Sequence, residues 1–338
     1  MCHRLAVCAL LAVAVPAAAA DYPKVELKAG RHGVTVYTPD AEKGFYRGSR
    51  FAWAGVVKDL KFAGYTIFGP WKDKHDPRNN DDITGPAEEF GMFSPLGYDV
   101  AKTGGRFVKI GVGEMEKTKE EKYSFITNYK VVNPGVWEVS PVKPGPDKDS
   151  VSVRCQQTLK AGNGYAYVYA KTITLRDRDD YAFLTLEHEL TNTGDKPIDT
   201  DVYNHNFFNV DGRPIGPDYF LVFIDPVKPA EGFNAAGVAE FRDLRYMFSR
   251  TLEKEAPFGL LLNQKGKPQE YTFQMTCADP GKKTGVRVQV SSTQDVSKFQ
   301  TWSVRGCMCP EPFSPVKVAP GKRQEWTVTY MLNKNTVR

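Results

Sequence analysis

A single histidine lies among several other polar side chains in residues 201–211, DVYNHNFFNVD. Side chains of a strand alternate between its two faces. One face would then hold Asp201, Tyr203, His205, Phe207 and Asn209. An imidazole titrates near neutral pH and can move protons, so this face suits the floor of a polar cleft better than a dry core. The alternative is an edge strand whose polar residues are simply solvated.

A second candidate for acid/base chemistry is Glu311, which stands between Pro310 and Pro312. Proline has a fixed φ and no backbone N–H, so we expect Glu311 to lack regular strand pairing and to be held rigidly. A fixed carboxylate suits a positioned acid or base. The alternative is an exposed carboxylate in a turn.

Strand signals recur along the chain, whereas segments with a helical period are nearly absent. We expect roughly fifteen to twenty short strands, which is typical of a large two-sheet sandwich. No linker interrupts them, so the sequence predicts one antiparallel all-β domain over residues 22–338. His188 falls on the apolar face of residues 181–190, which indicates a buried core histidine rather than a catalyst.

One segment, residues 69–105, is long, polar and rich in Gly and Pro, with little periodicity. A loop of this length inside a compact domain is usually functional. We therefore expect these residues to form a loop that contributes to a binding cleft.

The composition is that of an ordinary soluble globular protein, with 338 residues, 41% hydrophobic and 25% charged. The formal net charge is +5 and the isoelectric point is near 8.7. The basic residues are scattered rather than clustered, which argues against a nucleic-acid-binding surface.

Residues 1–20 have the pattern of a secretory signal peptide. Arg4 precedes an apolar run over residues 5–15, and small residues follow up to Ala20. We expect cleavage after Ala20 and a secreted or periplasmic mature protein. The apolar run is too short to span a bilayer and no other segment approaches that length, so no stable membrane insertion is expected after cleavage.

Four cysteines would remain in the mature chain: Cys155, Cys277, Cys307 and Cys309. In a strand, the last two point the same way, and no second pair or neighbouring histidine indicates zinc. We expect structural cysteines that are either buried or paired in disulfides with Cys155 or Cys277. The sequence does not fix the pairing.

Several motifs resemble the aldose 1-epimerase (galactose mutarotase) family. The matching segments are GSRF at 48–51, WAGVV at 53–57, LEHELTNTG at 186–194, YNHNFFN at 203–209 and PEPF at 310–313. The Asn-His-x-x-Phe-Asn segment is similar to the family strand with the catalytic histidine. The Pro-Glu-Pro-Phe segment is similar to the Glu-Pro-Trp segment that supplies the catalytic glutamate in some branches.

This resemblance implies an all-β, galactose-mutarotase-like β-supersandwich of antiparallel sheets with a shallow sugar-binding cleft. It implies that His205 is the general acid on the ring oxygen and Glu311 the general base on the anomeric hydroxyl. Opening a sugar ring needs both a proton donor and a proton acceptor. The expected ligand is a mono- or oligosaccharide, and no metal or organic cofactor is required.

The family's usual Leu-His-Gly segment has no counterpart in this sequence. Residues of the 69–105 segment are candidates to replace it. Arg50 resembles the substrate-binding arginine of the family, and Lys109 either reaches the cleft or lies at the surface. The predicted substrate-binding residues are therefore Arg50, His75, Glu88, Glu89, Lys109, Tyr203 and Asn204.

Three functions fit the sequence. The first is an exported epimerase that interconverts sugar anomers, and the presence of both His205 and Glu311 favours it. The second is a polysaccharide lyase that abstracts a proton beside a uronate carboxylate, with Tyr203 or His205 as acid/base and Arg47, Arg50 and Lys109 near the anion. The third is a non-catalytic carbohydrate-binding protein. The sugar and the oligomeric state stay open.

Overall fold

The structure is a computed structural model that describes residues 21–224, 227–229, 237–256, 258–262, 270–279, 281 and 284–336. The predicted signal peptide, residues 1–20, lies outside the described residues. Where the chain is described, no helix is both long and apolar enough to cross a bilayer.

Nearly all regular structure in these residues is β-strand. The first twelve strands are β1 Lys24–Ala29, β2 His32–Tyr37, β3 Val56–Phe62, β4 Tyr65–Thr66, β5 Gly85–Phe90, β6 Arg106–Lys109, β7 Gly113–Glu116, β8 Val131–Asn133, β9 Val136–Val139, β10 Lys143–Pro144, β11 Ser150–Lys160 and β12 Ala166–Arg178. The others are β13 Tyr181–Asn192, β14 Ile198–Phe207, β15 Tyr219–Phe223, β16 Val227–Pro229, β17 Ala239–Arg242, β18 Arg245–Phe248, β19 Phe258–Leu262, β20 Glu270–Asp279, β21 Thr284–Asp295, β22 Lys298–Val304, β23 Cys307–Val318 and β24 Arg323–Thr336. A 3₁₀ turn, Val210–Gly212, follows β14.

Antiparallel pairing joins the described strands into four sheets. The largest has the order β10-β11-β12-β13-β24-β21-β20-β15-β18-β17, with β9 also paired to β11. The second has the order β16-β19-β22-β23-β14-β5. Two small sheets, β1 to β4 and β6 to β8, complete the set. This architecture confirms the predicted all-β class and the antiparallel sandwich.

Alternating burial explains why the long strands of the large sheet were visible in the sequence. In β13 every second residue from Ala182 to Asn192 is buried, so one face lies on the core. His188 is on that face, where its ring stacks on Trp326 at 4.8 Å and its Nδ1 lies 3.0 Å from the Tyr169 hydroxyl oxygen. The prediction of a buried core histidine is confirmed.

The prediction that residues 69–105 form one loop is wrong in the middle. Strand β5 pairs with β14 from Gly85 opposite Phe207 to Phe90 opposite Val202. All six residues of β5 are buried. A strand buried on both faces has no polar/apolar alternation, and Glu88 and Glu89 made this one look like a polar loop.

The prediction that Glu311 lacks regular strand pairing is also wrong. In β23, Glu311 is opposite Gln300 of β22, and both flanking prolines are in register with the same strand. The Pro310 carbonyl points away from β22, towards β14, where it accepts a hydrogen bond from Asn206 Nδ2 at 2.8 Å. In an antiparallel strand the N–H and C=O of one residue point to the same side, so the prolines remove no bond from the β22 ladder.

The four cysteines among the described residues are all buried, and none of them is in a disulfide. Cys307 and Cys309 point the same way, as predicted, with their Sγ atoms 3.8 Å apart. They lie in one hydrophobic cluster, whereas Cys155 and Cys277 lie in another. The expectation of burial is confirmed, and a disulfide to Cys155 or Cys277 is excluded because the thiols face separate cores.

Candidate functional site

The two predicted catalytic side chains lie in direct contact. His205 of β14 and Glu311 of β23 approach to 3.2 Å between Nε2 and Oε1. Both side chains are buried, with 5% and 2% of their surfaces exposed. Gln300 fixes the carboxyl group, because its Nε2 donates a hydrogen bond to Glu311 Oε2 at 2.7 Å.

Aromatic rings surround the imidazole of His205. Its ring stacks on Phe207 at 4.0 Å, and Phe51 and Trp302 meet it edge-on at 5.5 and 5.7 Å. The Nδ1 atom has no hydrogen-bond partner. The imidazole therefore has one polar neighbour, Glu311, in an apolar environment.

Burial sets the protonation of this pair. Removal from water, and then the charge of Arg50, hold the pKa of His205 well below its usual value. Burial raises the pKa of Glu311 to about 7, although the hydrogen bond from Gln300 opposes the shift. At neutral pH the imidazole is therefore uncharged, and the carboxyl group is near the midpoint of its titration.

A network of buried charges lies on the same face of β14 and centres on Glu89 of β5. Glu89 Oε1 accepts a hydrogen bond from Lys109 Nζ at 2.7 Å. Its Oε2 accepts one from Arg50 Nε at 2.7 Å and one from the Tyr203 hydroxyl at 2.6 Å. Arg50 also pairs with Asp81. We call Arg50, Glu89, Lys109 and Tyr203 the Glu89 cluster.

Glu89 is ionised in this setting. Burial favours its neutral form, but the positive charges of Lys109 and Arg50 outweigh burial and lower the pKa of the carboxyl group. Lys109 is fully buried, so the alternative of a surface lysine is wrong. The Tyr203 ring lies 6.0 Å from that of His205, which places the Glu89 cluster beside the His205–Glu311 pair.

Glu88 and Asn204 lie on the opposite face from the pair. Glu88 Oε2 accepts a hydrogen bond from Lys171 Nζ at 2.8 Å, and its Oε1 accepts one from Asn204 Nδ2 at 3.2 Å. Neighbouring residues of a strand point to opposite faces, so Glu88 and Glu89 cannot both face His205. The structure does not bring Glu88 and Asn204 to the candidate site.

His75 is also separate from the pair. Its Nδ1 lies 2.9 Å from Asp82 Oδ1, its Nε2 lies 2.9 Å from the Phe45 carbonyl oxygen, and its ring stacks on Phe45 at 3.9 Å. These contacts tie the segment before β5 to Phe45. His75 therefore does not take the place of a second histidine beside His205.

Residues 123–127 cover the Glu89 cluster. The Tyr123 hydroxyl accepts a hydrogen bond from Lys109 Nζ at 2.9 Å, and the guanidinium of Arg50 lies 4.5 Å from the centre of the Phe125 ring. Asn80 Nδ2 donates to the carbonyl oxygens of Phe125 and Thr127 at 3.0 and 2.9 Å. At the Glu89 cluster, residues 123–127 therefore lie where the family resemblance implies an open, shallow cleft.

Sequence reasoning missed four contacts of the site. Asp81, Tyr123 and Phe125 lie outside the strands of the structure, and Gln300 lies in β22 without a distinguishing motif. A sequence signal exists only for Gln300, which shares the side-chain direction of Trp302 two residues later in a strand. The missed residues are Asp81, Tyr123, Phe125 and Gln300.

Comparisons with known proteins identify the fold. No protein-family model matches the chain, and no curated protein matches by sequence. Among solved structures, the Slr1438 protein from Synechocystis sp. PCC 6803 is similar with a TM-score of 0.55 and 14% identity, covering 97% of this chain and 100% of that one.

Two further similar structures are those of galactose mutarotase-like proteins. A galactose mutarotase-like protein from Clostridium acetobutylicum gives a TM-score of 0.53 at 14% identity, over 92% of this chain and 95% of that one. A galactose mutarotase-like protein from Lactobacillus casei gives 0.50 at 13% identity, over 92% and 100%. Identities this low establish the fold alone. The chain has the fold of the galactose mutarotase-like, aldose 1-epimerase-like proteins.

Proposed function

We propose that this protein interconverts the anomers of a sugar by general acid/base catalysis, with His205 and Glu311 as the two catalytic groups. The observation that supports this most is the 3.2 Å contact between an imidazole and a carboxyl group whose pKa is raised to about 7, on a galactose mutarotase-like fold. A proton donor and a proton acceptor at one point are what ring opening requires.

Each proton in the proposed reaction has a defined origin and destination. Glu311 removes the proton of the anomeric hydroxyl, and the freed electron pair forms the carbonyl bond at the anomeric carbon. The bond from that carbon to the ring oxygen breaks, and the ring oxygen takes a proton from His205. Rotation about the adjacent carbon–carbon bond and reversal of these steps then close the ring as the other anomer.

The proton count of the resting pair fits this scheme. A neutral imidazole beside a protonated carboxyl group holds the same number of protons as an imidazolium beside a carboxylate. Transfer of one proton over the 3.2 Å contact converts one form into the other. When a sugar separates the two side chains, this transfer leaves the proton on His205, which is then the acid, and leaves Glu311 as the base.

We propose that residues 123–127 move when a sugar enters beside the Glu89 cluster. The tyrosine and phenylalanine of this segment contact Lys109 and Arg50, and Asn80 anchors its backbone. Sugar hydroxyls entering here would compete for the same hydrogen-bonding groups of the Glu89 cluster. We therefore propose that Arg50, Lys109 and Tyr203 bind the sugar once the cover opens.

The lyase alternative receives less support from the charges at the site. A lyase must neutralise the uronate carboxylate next to the reacting carbon. Here Arg50 and Lys109 both bind Glu89, and Arg50 also binds Asp81. The cluster therefore has no surplus positive charge beside His205.

We also propose that the mature protein is exported, on the strength of the signal-peptide pattern in residues 1–20. N-terminal sequencing of the protein recovered outside the cytoplasm tests this. The expected first residue is Asp21, and an intact Met1 on the cellular protein would refute export.

A panel of free aldoses followed by polarimetry tests the catalytic proposal. At least one freshly dissolved aldose should reach its equilibrium rotation faster with the wild-type protein than in buffer. The same panel, extended to uronate polymers and read in the near ultraviolet, would reveal unsaturated lyase products. A lyase signal with no mutarotation would replace the proposal.

A further inference from the structure

A cavity of about 560 Å³ opens next to the site, a volume within the usual range for small-ligand pockets. Ser49 lines it, and Arg50, the next residue, points into the Glu89 cluster. A second segment contacts both residues, because Asn80 accepts a hydrogen bond from the Ser49 backbone N–H and Asp81 pairs with Arg50. Arg78 of the same segment lines the cavity. The cavity and the candidate site are therefore built from the same two segments.

The charge of the lining is one-sided. Arg47, Arg78 and Lys130 line the cavity, and no aspartate or glutamate does. None of the three has a carboxylate oxygen within 4.0 Å among the described residues. The Nε of Arg47 is buried and has no hydrogen-bond partner. The lining of the cavity therefore carries a positive charge that no carboxylate contacts, which favours an anionic ligand.

A second cavity of the protein shows that this imbalance is specific. It measures about 480 Å³, and three cations line it together with Asp149, Asp177 and Asp179. Its charges are balanced by the protein itself. The first cavity lacks such balance and also has aromatic walls, since Trp53 and Tyr129 line it. Cations beside aromatic rings suit a sugar that bears an anionic group.

We propose that this cavity binds an anionic sugar unit, one with a carboxylate or a sulfate group, next to the sugar that reacts at His205 and Glu311. The inference rests on the proposed function and narrows its substrate to acidic saccharides. The anion is recognised away from the reacting carbon, which agrees with anomer interconversion rather than elimination.

Calorimetric titration of the mature chain with glucose, glucuronate and glucose 6-sulfate tests the proposal. Glucuronate, glucose 6-sulfate or both should bind at least about tenfold more tightly than glucose, as expected for one charge-assisted hydrogen bond. The two acidic sugars distinguish carboxylate from sulfate recognition. Salt should weaken the acidic sugar's binding and leave glucose unaffected.

The Arg78→Gln/Lys130→Gln double variant provides the matched comparison. Both side chains are exposed, so the fold should be retained, and the preference for the acidic sugar should fall by about tenfold or more. The control is Lys148→Gln/Arg178→Gln in the second cavity, which should leave the preference unchanged. Equal affinity for glucose and both acidic sugars, or an unchanged preference in the double variant, would overturn the inference.

Two further outcomes separate this inference from the proposed function. If inorganic sulfate binds as tightly as the acidic sugars, the cavity is an ion site and the inference fails. If the acidic sugar binds as predicted but no sugar is mutarotated by the wild type, the proposed function fails and the binding site stands. Mutarotation without acidic preference would leave only the catalytic proposal.

Discussion

Glu89 is the residue on which the charge balance of the site depends. It is fully buried and accepts hydrogen bonds from Lys109, Arg50 and Tyr203. Removing one member of a buried ion pair leaves the other charge without compensation, which costs more than the pair itself contributes. Glu89 therefore acts as a structural anion that keeps two cations beside the His205–Glu311 pair.

The Glu89→Gln variant should lose about 3–5 kcal/mol of unfolding free energy, because Lys109 and Arg50 become poorly compensated. Urea denaturation of the two proteins measures this loss. The control is Glu116→Gln, which removes a half-exposed pair with Arg106 and should cost less than about 1 kcal/mol. Equal losses in the two variants would contradict the account.

Glu311 should make the protein less stable as the pH rises, whereas a carboxylate in an ordinary ion pair makes a protein more stable as the pH rises. Its pKa is raised from 4.5 in the reference state to about 7 in the folded protein. Between these values the folded state binds more protons than the unfolded state, so this group reduces stability as the pH rises. The full penalty is present above pH 7.

Glu311→Gln should therefore gain stability relative to the wild type as the pH rises from 5 to 8, by up to about 3 kcal/mol. Urea denaturation at the two pH values gives the difference. Gln300→Ala serves as a comparison, since it removes a neighbour of the carboxyl group without removing the titrating group. A difference that does not change with pH would show that Glu311 titrates normally.

At the scale of elements, strand β5 positions Glu89. The first residue of β5, Gly85, determines where the strand begins. Gly85 has φ +71, and a Cβ there would lie 2.1 Å from the Val57 carbonyl oxygen. Only glycine adopts this conformation at such close approach without strain. The position of β5 against β14 therefore depends on Gly85.

Gly85→Ala should destabilise the protein by at least about 3 kcal/mol, because it combines an unfavourable φ with a backbone clash. Gly64→Ala is the matched control: its φ is +88, but a Cβ there meets no atom within 4 Å. That variant should lose only about 1–2 kcal/mol. Thermal or urea unfolding compares them, and equal losses would mean that the close approach to Val57 is unimportant.

Residues 123–127, which lie over the Glu89 cluster, should become more mobile when Asn80 is replaced by alanine. Asn80 is buried and bonds to the carbonyl oxygens of Phe125 and Thr127. In Asn80→Ala we expect amide hydrogen exchange within residues 123–130 to be about tenfold faster or more, because each lost bond contributes roughly 1 kcal/mol. Asn163→Ala, which removes a bond to Arg106, should leave this segment unchanged. Unchanged exchange in Asn80→Ala would refute its anchoring role.

At the scale of the whole molecule, the sequence predicts the strands whose polar and apolar residues alternate. It misses segments that lack this alternation. The long strands of the large sheet alternate and were predicted, as were the shared face of Tyr203, His205 and Phe207 and the order of the family-like motifs. Strand β5 was missed because it is buried on both faces. Its two glutamates look solvated in the sequence but are held by cations distant in the chain.

Reliance on alternation also explains which predicted site residues were right and which were wrong. Period two correctly grouped Tyr203 with His205, and it also implies that Asn204 faces away. The alternation within β5 cannot show which of its two faces lies on the same side of the sheet as His205. The pairing register decides this, so the sequence alone does not distinguish Glu88 from Glu89. The anchors of the cover, Asn80 and Asp81, lie in irregular segments where position follows from tertiary contacts alone.

The central claim is that His205 and Glu311 together move protons during anomer exchange. The most direct measurement is NMR saturation transfer between the anomeric protons of an aldose that the wild type accelerates. His205→Ala and Glu311→Gln should each reduce the protein-dependent exchange rate by about a hundredfold or more, the usual range for general acid or base catalysis. His75→Ala, a histidine outside the site, should keep the wild-type rate. Wild-type exchange rates in both site variants would contradict the account.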